Sequence, residues 1–547
     1  MTVKPEPAAR VPPGRLRAHL PLWAFGLEGP WLGRHVAEGL AGLAAVRPEY
    51  TALHRALTVW RFERQPLAAG CARAMVALGR EGVNPGQRAL ARTLAPRLGP
   101  PATAGDWPAL RDNADRSVVS AVLGRRMDDP ISGLYWRGRA LEYALTAGLP
   151  DLAEAAVAPL ARDPALAPLV PRLLAEVTAT FGRPEAVLAA LERVDETLFP
   201  RFTALARGDA LVRAGDQDSG TAALVALWRR ESWHPGLTVR VHEVLFPIRP
   251  VPVHELPGRV FVALYTWNRA DRLARTLDSL AASRLGPARV VVLDNGATDA
   301  TARVCRAAAL RFAPGGFETL TLPVNLGAPA ARNWLARVLG PGPEDFLAYV
   351  DDDVVVPPDW LERLAGALLA DPGAEVAGAR ILAGDTTVVQ SADVRLLGPE
   401  GRHTVRPLRN CPVGPDFGLL AATRPCASVS GCCHMLRGRA LAGAMPFDLR
   451  FSPSQFDDLA RDVGAFLDGG RCVLAGSLAV AHHQPAPAGG SADRGRIAGA
   501  RVKLDGLFAA PDMIVAANRD LDTAWGELES KWERLARRLS RACTGGD

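Results

Sequence analysis

Phe346-Leu347-Ala348-Tyr349-Val350-Asp351-Asp352-Asp353 is a run of five apolar residues that ends on three carboxylates. A short unbroken apolar run bounded by polar residues reads as a strand buried on both faces, and such strands belong to parallel sheets covered by helices. Three adjacent carboxylates repel one another, and a hard divalent cation with oxygen ligands relieves that repulsion, commonly with substrate phosphates in its shell. The strand context makes this a metal site. A D-D-D without it is a solvated turn.

The same pattern extends outward on both sides. Val260-Phe261-Val262-Ala263-Leu264 and Val290-Val291-Val292-Leu293 are two further strands. Between and after them Leu273, Leu277 and Leu280, a stretch from Thr301 to Leu310, and Leu361, Leu364 and Leu368 recur at helical spacing. Strand alternating with helix predicts a doubly wound, mostly parallel sheet, in which ligands sit at the carboxyl ends of strands. The polar clusters fall at those ends: Tyr265-Thr266-Trp267-Asn268-Arg269, Asp294-Asn295-Gly296-Ala297-Thr298-Asp299 and Asp351 to Asp353.

These clusters carry a resemblance. Val260 to Leu382 resembles the inverting family-two glycosyltransferases of GT-A fold, through the T-x-N-R-like turn of Thr266, Asn268 and Arg269, the D-D-G-S-T-D-like turn at Asp294, the segment Asn325-Leu326-Gly327 to Ala331-Arg332-Asn333, and the D-x-D acids followed by Pro358-Asp359-Trp360-Leu361. The resemblance implies a Rossmann-like GT-A catalytic domain, a nucleotide-sugar donor such as a UDP-sugar, and a divalent metal, Mn2+ or Mg2+. It implies that Asp294, Thr266, Asn268 and Arg269 line the nucleotide pocket with Asn325 and Asp352. Arg332 would sit near the nucleotide or diphosphate, and Asp353 would bind the metal directly, with Asp351 binding it directly or through water. The family's general base comes from an acidic pair at the start of a later helix. Gln455-Phe456-Asp457-Asp458-Leu459 matches, with Asp458 as base and Asp457 as its neighbour. One of His482 and His483, after the apolar run Leu478 to Ala481, is placed to add a metal ligand or diphosphate contact, whereas His434 sits in a buried strand as a structural residue.

Two other readings compete. A nucleotidyltransferase on the same sheet type carries a glycine- and lysine-rich loop after its first strand, and Thr266 to Arg269 has no glycine there. A scaffold with a decayed transferase domain is the alternative from another class; Asp294, Asp351, Asp353 and Asp458 argue against decay.

The first 250 residues instead read as helix after helix, rich in Ala, Leu and Arg. Gly148, Gly182 and Gly215 lie 34 and 33 residues apart; seven positions after each comes an alanine pair, Ala155-Ala156, Ala189-Ala190 and Ala222-Ala223. A large apolar residue follows each pair (Val157, Leu191, Leu224), and another three further on (Leu160, Val194, Leu227). Left-handed glycines would end one helix, the acid three positions on would begin the next, and the alanine pairs would let helices approach. Residues 137–245 resemble the tetratricopeptide family, whose period is 34. The resemblance implies a face for a glycan or protein acceptor, or for a protein partner.

The expected organisation is a helical region at 1–136, repeats at 137–245, a linker at 246–257, the catalytic domain at 258–490 and a C-terminal helical extension at 491–547. Four prolines in twelve residues from Phe246 to Pro257 mark the linker. The 64 basic and 58 acidic residues give a scattered net charge of +6, which does not argue for a nucleic-acid partner. No run approaches a membrane span and the N-terminus has no apolar signal region, so the expectation is a cytoplasmic protein, with peripheral contact at the membrane's inner face left open. None of the eight cysteines forms a C-x-x-C pair; Cys432 and Cys433 are expected as buried thiols.

Overall fold

A computed structural model describes residues 13–79, 82–113, 115–398, 404–442, 447–484 and 491–544. The last front helix ends at Leu245 and the first strand begins at Val260; between them the linker segment is irregular, with a short turn at Val253–Glu255 and bends at 246 and 256–258. It lies on the helix Trp360–Ala370: Val251 N–H donates to Glu362 O at 3.0 Å, and a Cβ on Gly366 would sit 2.3 Å from Arg249 O.

Twelve strands follow: β1 (Val260–Thr266), β2 (Arg289–Asp294), β3 (Phe317–Thr321), β4 (Phe346–Val350), β5 (Val354–Val355), β6 (Ala374–Ala383), β7 (Val389–Ser391), β8 (Val394–Leu397), β9 (Arg406–Arg409), β10 (Arg424–Cys426), β11 (Cys433–Arg437) and β12 (Arg471–His482). Ten form one sheet whose main path runs β10-β12-β6-β11-β4-β1-β2-β3. β12, β6, β4, β1, β2 and β3 all point the same way, while β10 and β11 run against them. Along β2, Val290 and Val292 face the core under helices Ala270–Ala281, Thr301–Ala309 and Trp360–Ala370. Val291 and Leu293 face the one under Ala328–Leu339. Both faces are covered, which is why these strands read as continuous apolar runs.

The front of the chain is helical, including the pairs Gly133–Ala147 with Pro150–Val157, Val170–Phe181 with Pro184–Leu191, and Pro200–Ala214 with Gln217–Arg230. Gly148 and Gly215 are left-handed as expected, but Gly182 is not: its φ is −100°. Its need for glycine is steric, since a Cβ there would lie 2.8 Å from Thr178 O. Each alanine pair is split, with Ala156 buried in the helical core and Ala190 packed against it. Ala155, Ala189 and Ala222 are exposed, and close approach comes from Gly208 against Leu224 and Gly220 against Val212. The large apolar residues of the pattern are all buried.

The two-stranded β8–β9 ribbon joins these parts. Leu397 and Leu408 enter the helical core, while Val394 and Leu396 pack with the C-terminal helices Ser491–Phe508 and Asp512–Thr544. The last helix packs back, donating from Trp525 Nε1 to Pro21 O at 2.8 Å and pairing Asp520 with Arg395 at 3.0 Å. No described helix is long and apolar enough to cross a membrane. The seven cysteines that can be assigned are all free thiols, and only Cys411 is not fully buried.

Candidate active site

Parallel strands bring the ends of β1, β2, β4 and β12 to one edge of the sheet. After Asp353 the chain doubles back as β5 along the end of β12, pairing Val354 with His482 and Val355 with Ala481. That register sets His482 beside the acids although it lies far along the chain. His483 N–H then donates to Asp353 O at 2.8 Å.

Asp351, Asp353 and His482 each present one ligand atom, all within 4.8 Å of one another. Gln390 Oε1 is 3.1 Å from His482 Nδ1, and an amide oxygen only accepts, so Nδ1 carries the hydrogen. Nε2 faces Asp353 Oδ1 at 3.1 Å in an ion-pair contact, and among the described residues that buried oxygen has no well-aligned hydrogen bond. A metal ion between the two atoms suits this donor set. The electrostatics agree that positive charge belongs here. Burial, with repulsion from Asp353 and Asp352, pushes the Asp351 carboxyl up to about 6 despite Arg332. Burial would also raise Asp353, but His482 and Arg269 outweigh it and hold Asp353 low. Burial disfavours the His482 imidazolium, and Asp353 outweighs that and raises its pKa.

Two arginines brace the acids. Arg269 donates to Asp352 Oδ1 at 3.1 Å and Asp353 Oδ2 at 3.2 Å, and Thr266 Oγ1 donates to Asp352 at 2.7 Å. Asp352 therefore turns back to β1, away from the metal cluster. Arg332, in the first turns of Ala328–Leu339, donates to Asp457 Oδ2 at 2.5 Å and Asp351 Oδ1 at 3.1 Å, and its guanidinium lies 5.3 Å from the Tyr265 ring centre. Asp457 is buried, and desolvation raises its pKa against the pull of Arg332.

Asp458 lines the cleft. Its Oδ2 accepts from Gly431 N–H at 2.7 Å and its Oδ1 from Leu459 N–H at 2.8 Å. Any Cβ at 431 would meet Asp458 Cβ at 2.7 Å, so glycine is what permits the bond. The turn that delivers these acids holds Gln455 at φ 95° and Phe456 at φ 65°, backbone that non-glycine residues adopt at a cost. Across the cleft, Ala328 N–H donates to Pro453 O at 2.8 Å, joining the 325–328 loop to that turn.

The cleft holds about 520 Å³ and is lined by Thr266, Arg269, Asn325, Arg332, Asp351 to Asp353, Asp457, Asp458 and His482 among the expected residues. Asn268, Asp294 and His483 are not on its wall. Asp294 is buried and accepts from Ala297 N–H at 2.8 Å, and Asn268 accepts from Thr298 N–H at 2.7 Å. Asn325 accepts from Asn295 Nδ2 and Gly327 N–H, each at 2.8 Å. His483 points elsewhere, to Asp385 at 3.5 Å. His434 is buried in β11, and burial lowers its pKa well below the usual range. Gln390, Arg409, Ser430 and Gly431 were not anticipated. They follow Leu382, where no periodic pattern marks a strand end.

Residues 261–440 match the family model described as glycosyl transferase family 2, about a third of the chain. This glycosyl transferase domain has the GT-A-like arrangement of helices and mostly parallel sheet described above and supplies β1, β2 and β4. Asp457, Asp458 and His482 lie beyond the match. No curated protein matches the chain. Among solved structures it is similar to GalNAc-T7 with UDP, GalNAc and Mn2+ (15% identity, TM-score 0.35, covering 43% of this chain and 45% of that one). It is also similar to the mannosyltransferase PcManGT from Pyrobaculum calidifontis in complex with GDP-Man and Mn2+ (18%, TM-score 0.35, 62% and 88%). A third is S. aureus TarS 1-349 in complex with UDP-GlcNAc (16%, TM-score 0.30, 41% and 58%). The chain thus spans less than half of GalNAc-T7 and under two thirds of the TarS fragment.

Proposed function

We propose that the chain is an inverting, metal-dependent glycosyltransferase that moves a sugar from a nucleotide-diphosphate donor to a polysaccharide or protein acceptor. The carrying observation is the Asp351–Asp353–His482 cluster, with a carboxylate oxygen left without a well-aligned hydrogen bond, in the cleft of the matched domain. These three residues would hold Mn2+ or Mg2+, which when bound neutralises charge on the departing diphosphate. Arg269 orients Asp352 and Asp353, and Arg332 adds a fixed positive charge beside Asp351. Thr266, Asn268, Asp294 and Asn325 shape the nucleotide end of the cleft directly or by holding its loops. Asp458 takes the acceptor proton, because Asp457 is committed to Arg332. The helix pairs are read as tetratricopeptide-like, with a face for the acceptor or a protein partner.

The test is thermal unfolding with UDP, GDP and their sugars, with and without manganese. A matching diphosphate at 100 times its Kd stabilises by about 2.7 kcal/mol, and it does so only with metal. Asp458→Asn keeps that shift while transfer falls by roughly 10²–10⁴-fold. Diphosphates that fail to bind, or bind equally without metal, refute the reading.

A further inference from the structure

A groove of about 420 Å³ opens beside the cleft, and Arg409 and Phe456 line both. Its other walls come from three distant parts of the chain. Trp31 stands in the first turn of the helix Pro30–Val46, Leu408 and Arg406 belong to β9, and Arg501 and Leu504 to the helix Ser491–Phe508. Leu459, one residue past Asp458, closes it toward the cleft.

This juxtaposition is built into the fold. Gly29 N–H donates to Asn410 Oδ1 at 2.6 Å, and Asn410 Nδ2 donates to Phe25 O at 3.1 Å, so the start of the Trp31 helix is pinned to the end of β9. A Cβ at 29 would lie 2.3 Å from Asn410 Oδ1. Trp31 is 38% exposed, and its ring lies flat against His35, with ring centres 5.1 Å apart and planes 11° apart.

The lining has a definite chemistry. Trp31, Leu408, Phe456, Leu459 and Leu504 give it an apolar floor, and among the described residues its polar lining is charged, with no hydroxyl or amide side chain. Among the described residues, Arg406, Arg409 and Arg501 are exposed and make no ion pair or side-chain hydrogen bond, and Asp505 is the single acid on the wall. Unpaired guanidiniums along an apolar floor fit an anion joined to a hydrocarbon, and guanidinium suits phosphate in particular.

We propose that this groove receives the carrier of the acceptor: a single hydrocarbon chain ending in a phosphate, laid on the apolar floor with its phosphate among the three arginines. The proposal rests on the transferase reading of the adjoining cleft. The acceptor hydroxyl, on a sugar attached to that phosphate, passes Phe456 toward Asp458. Its oxygen bonds to the anomeric carbon of the donor sugar as its proton moves to Asp458, and the bond to the nucleoside diphosphate breaks with its electron pair leaving on the diphosphate. The front helical region thereby supplies a wall of the acceptor site through Trp31.

Calorimetric titration of the full chain with decyl phosphate, decanol, inorganic phosphate and maltohexaose tests this, with the UDP–manganese thermal shift measured on the same samples. Decyl phosphate binds at least tenfold tighter than decanol or phosphate. The double variant R406E/R501E weakens it at least tenfold, Trp31→Ala weakens it severalfold, and neither changes the UDP–manganese shift. Decyl phosphate binding no tighter than decanol, or indifferent to R406E/R501E, overturns the proposal. So does maltohexaose binding that Trp31→Ala abolishes while decyl phosphate fails to bind, which marks a neutral glycan site. A wild-type chain that takes decyl phosphate as expected but shows no UDP–manganese shift sinks the transferase reading instead, and with it the acceptor role of the groove.

Discussion

Glu63 in the helical half and Asp353 at the edge of the sheet are both buried carboxylates, and they are treated in opposite ways. Glu63 receives four hydrogen bonds, from Gln87 Nε2, Arg201 Nη1 and the N–H groups of Arg201 and Phe202, at 2.7–3.3 Å. Nearby Arg172 is equally occupied, donating to the carbonyls of Glu63 and Arg64 and pairing with Glu176. Asp353 has one oxygen on Arg269 and the other facing His482 without a well-aligned hydrogen bond. A buried charge whose partners all come from the chain is architecture. One left incomplete beside like charges is organised around something the chain does not itself supply.

Replacement separates the two cases. Asp353→Ala lowers metal-dependent transfer by more than about 10³-fold, roughly 4 kcal/mol, while its urea midpoint falls less than that of Glu63→Ala, because it removes the pairings with half-exposed Arg269 and with His482 and leaves no set of buried backbone donors unsatisfied. A large drop in the midpoint would class Asp353 with Glu63. Glu63→Ala does the reverse: it leaves buried donors on Arg201, Phe202 and Gln87 unsatisfied and costs about 3 kcal/mol of stability, with the UDP–manganese shift intact at temperatures where the variant is folded. An unchanged midpoint would mean that the helical half does not depend on this network.

The third effect is the smallest within a single pH unit below 6.5 and sharpens the contrast through pH. His234 is buried, and desolvation, helped by Arg64, pushes its pKa down to about 3. Its Nδ1 accepts from Leu237 N–H at 3.1 Å and caps the helix Pro235–Leu245. The unfolded chain binds this proton near pH 6.5 and the folded chain does not, so stability is full above 6.5 and falls as pH drops from 6.5 toward 3, by about 1.4 kcal/mol per unit. His234→Asn keeps a capping acceptor without the titration. Its urea-unfolding free energy therefore loses that slope, and an equal slope in both proteins would assign the acid sensitivity to other groups.

Much of the sheet and cleft was legible from local pattern. The apolar runs ending on Thr266, Asp294 and Asp351 fall where strands buried on both faces end, and Arg332 sits one helical turn into the segment that begins Asn325-Leu326-Gly327. His482 was legible only as one of a pair, because choosing it over His483 depends on the β5–β12 register, which no local signal encodes. Gln390, Gly431 and Arg409 were invisible for a related reason: they come from β6–β7, the β11 approach and the β8–β9 ribbon, where short strands alternate with loops and periodicity is lost. In the helical half the large apolar positions were read correctly, but Gly182 was assigned a handedness when its role is to admit the Thr178 carbonyl, a contact that spacing alone does not reveal.

The return of β5 along β12 also says something about how the protein acquires its cleft. Asp351 and His482 are 131 residues apart, and closing a loop of that length costs about 4 kcal/mol of chain entropy. Contacts of such high sequence separation form late in folding. A chain leaving the ribosome has its β1–β4 strands long before it has its third candidate ligand. The candidate ligand cluster at this edge of the sheet is therefore incomplete until β12 lies beside β6, and an ion gripped by both ends would clasp that strand in place.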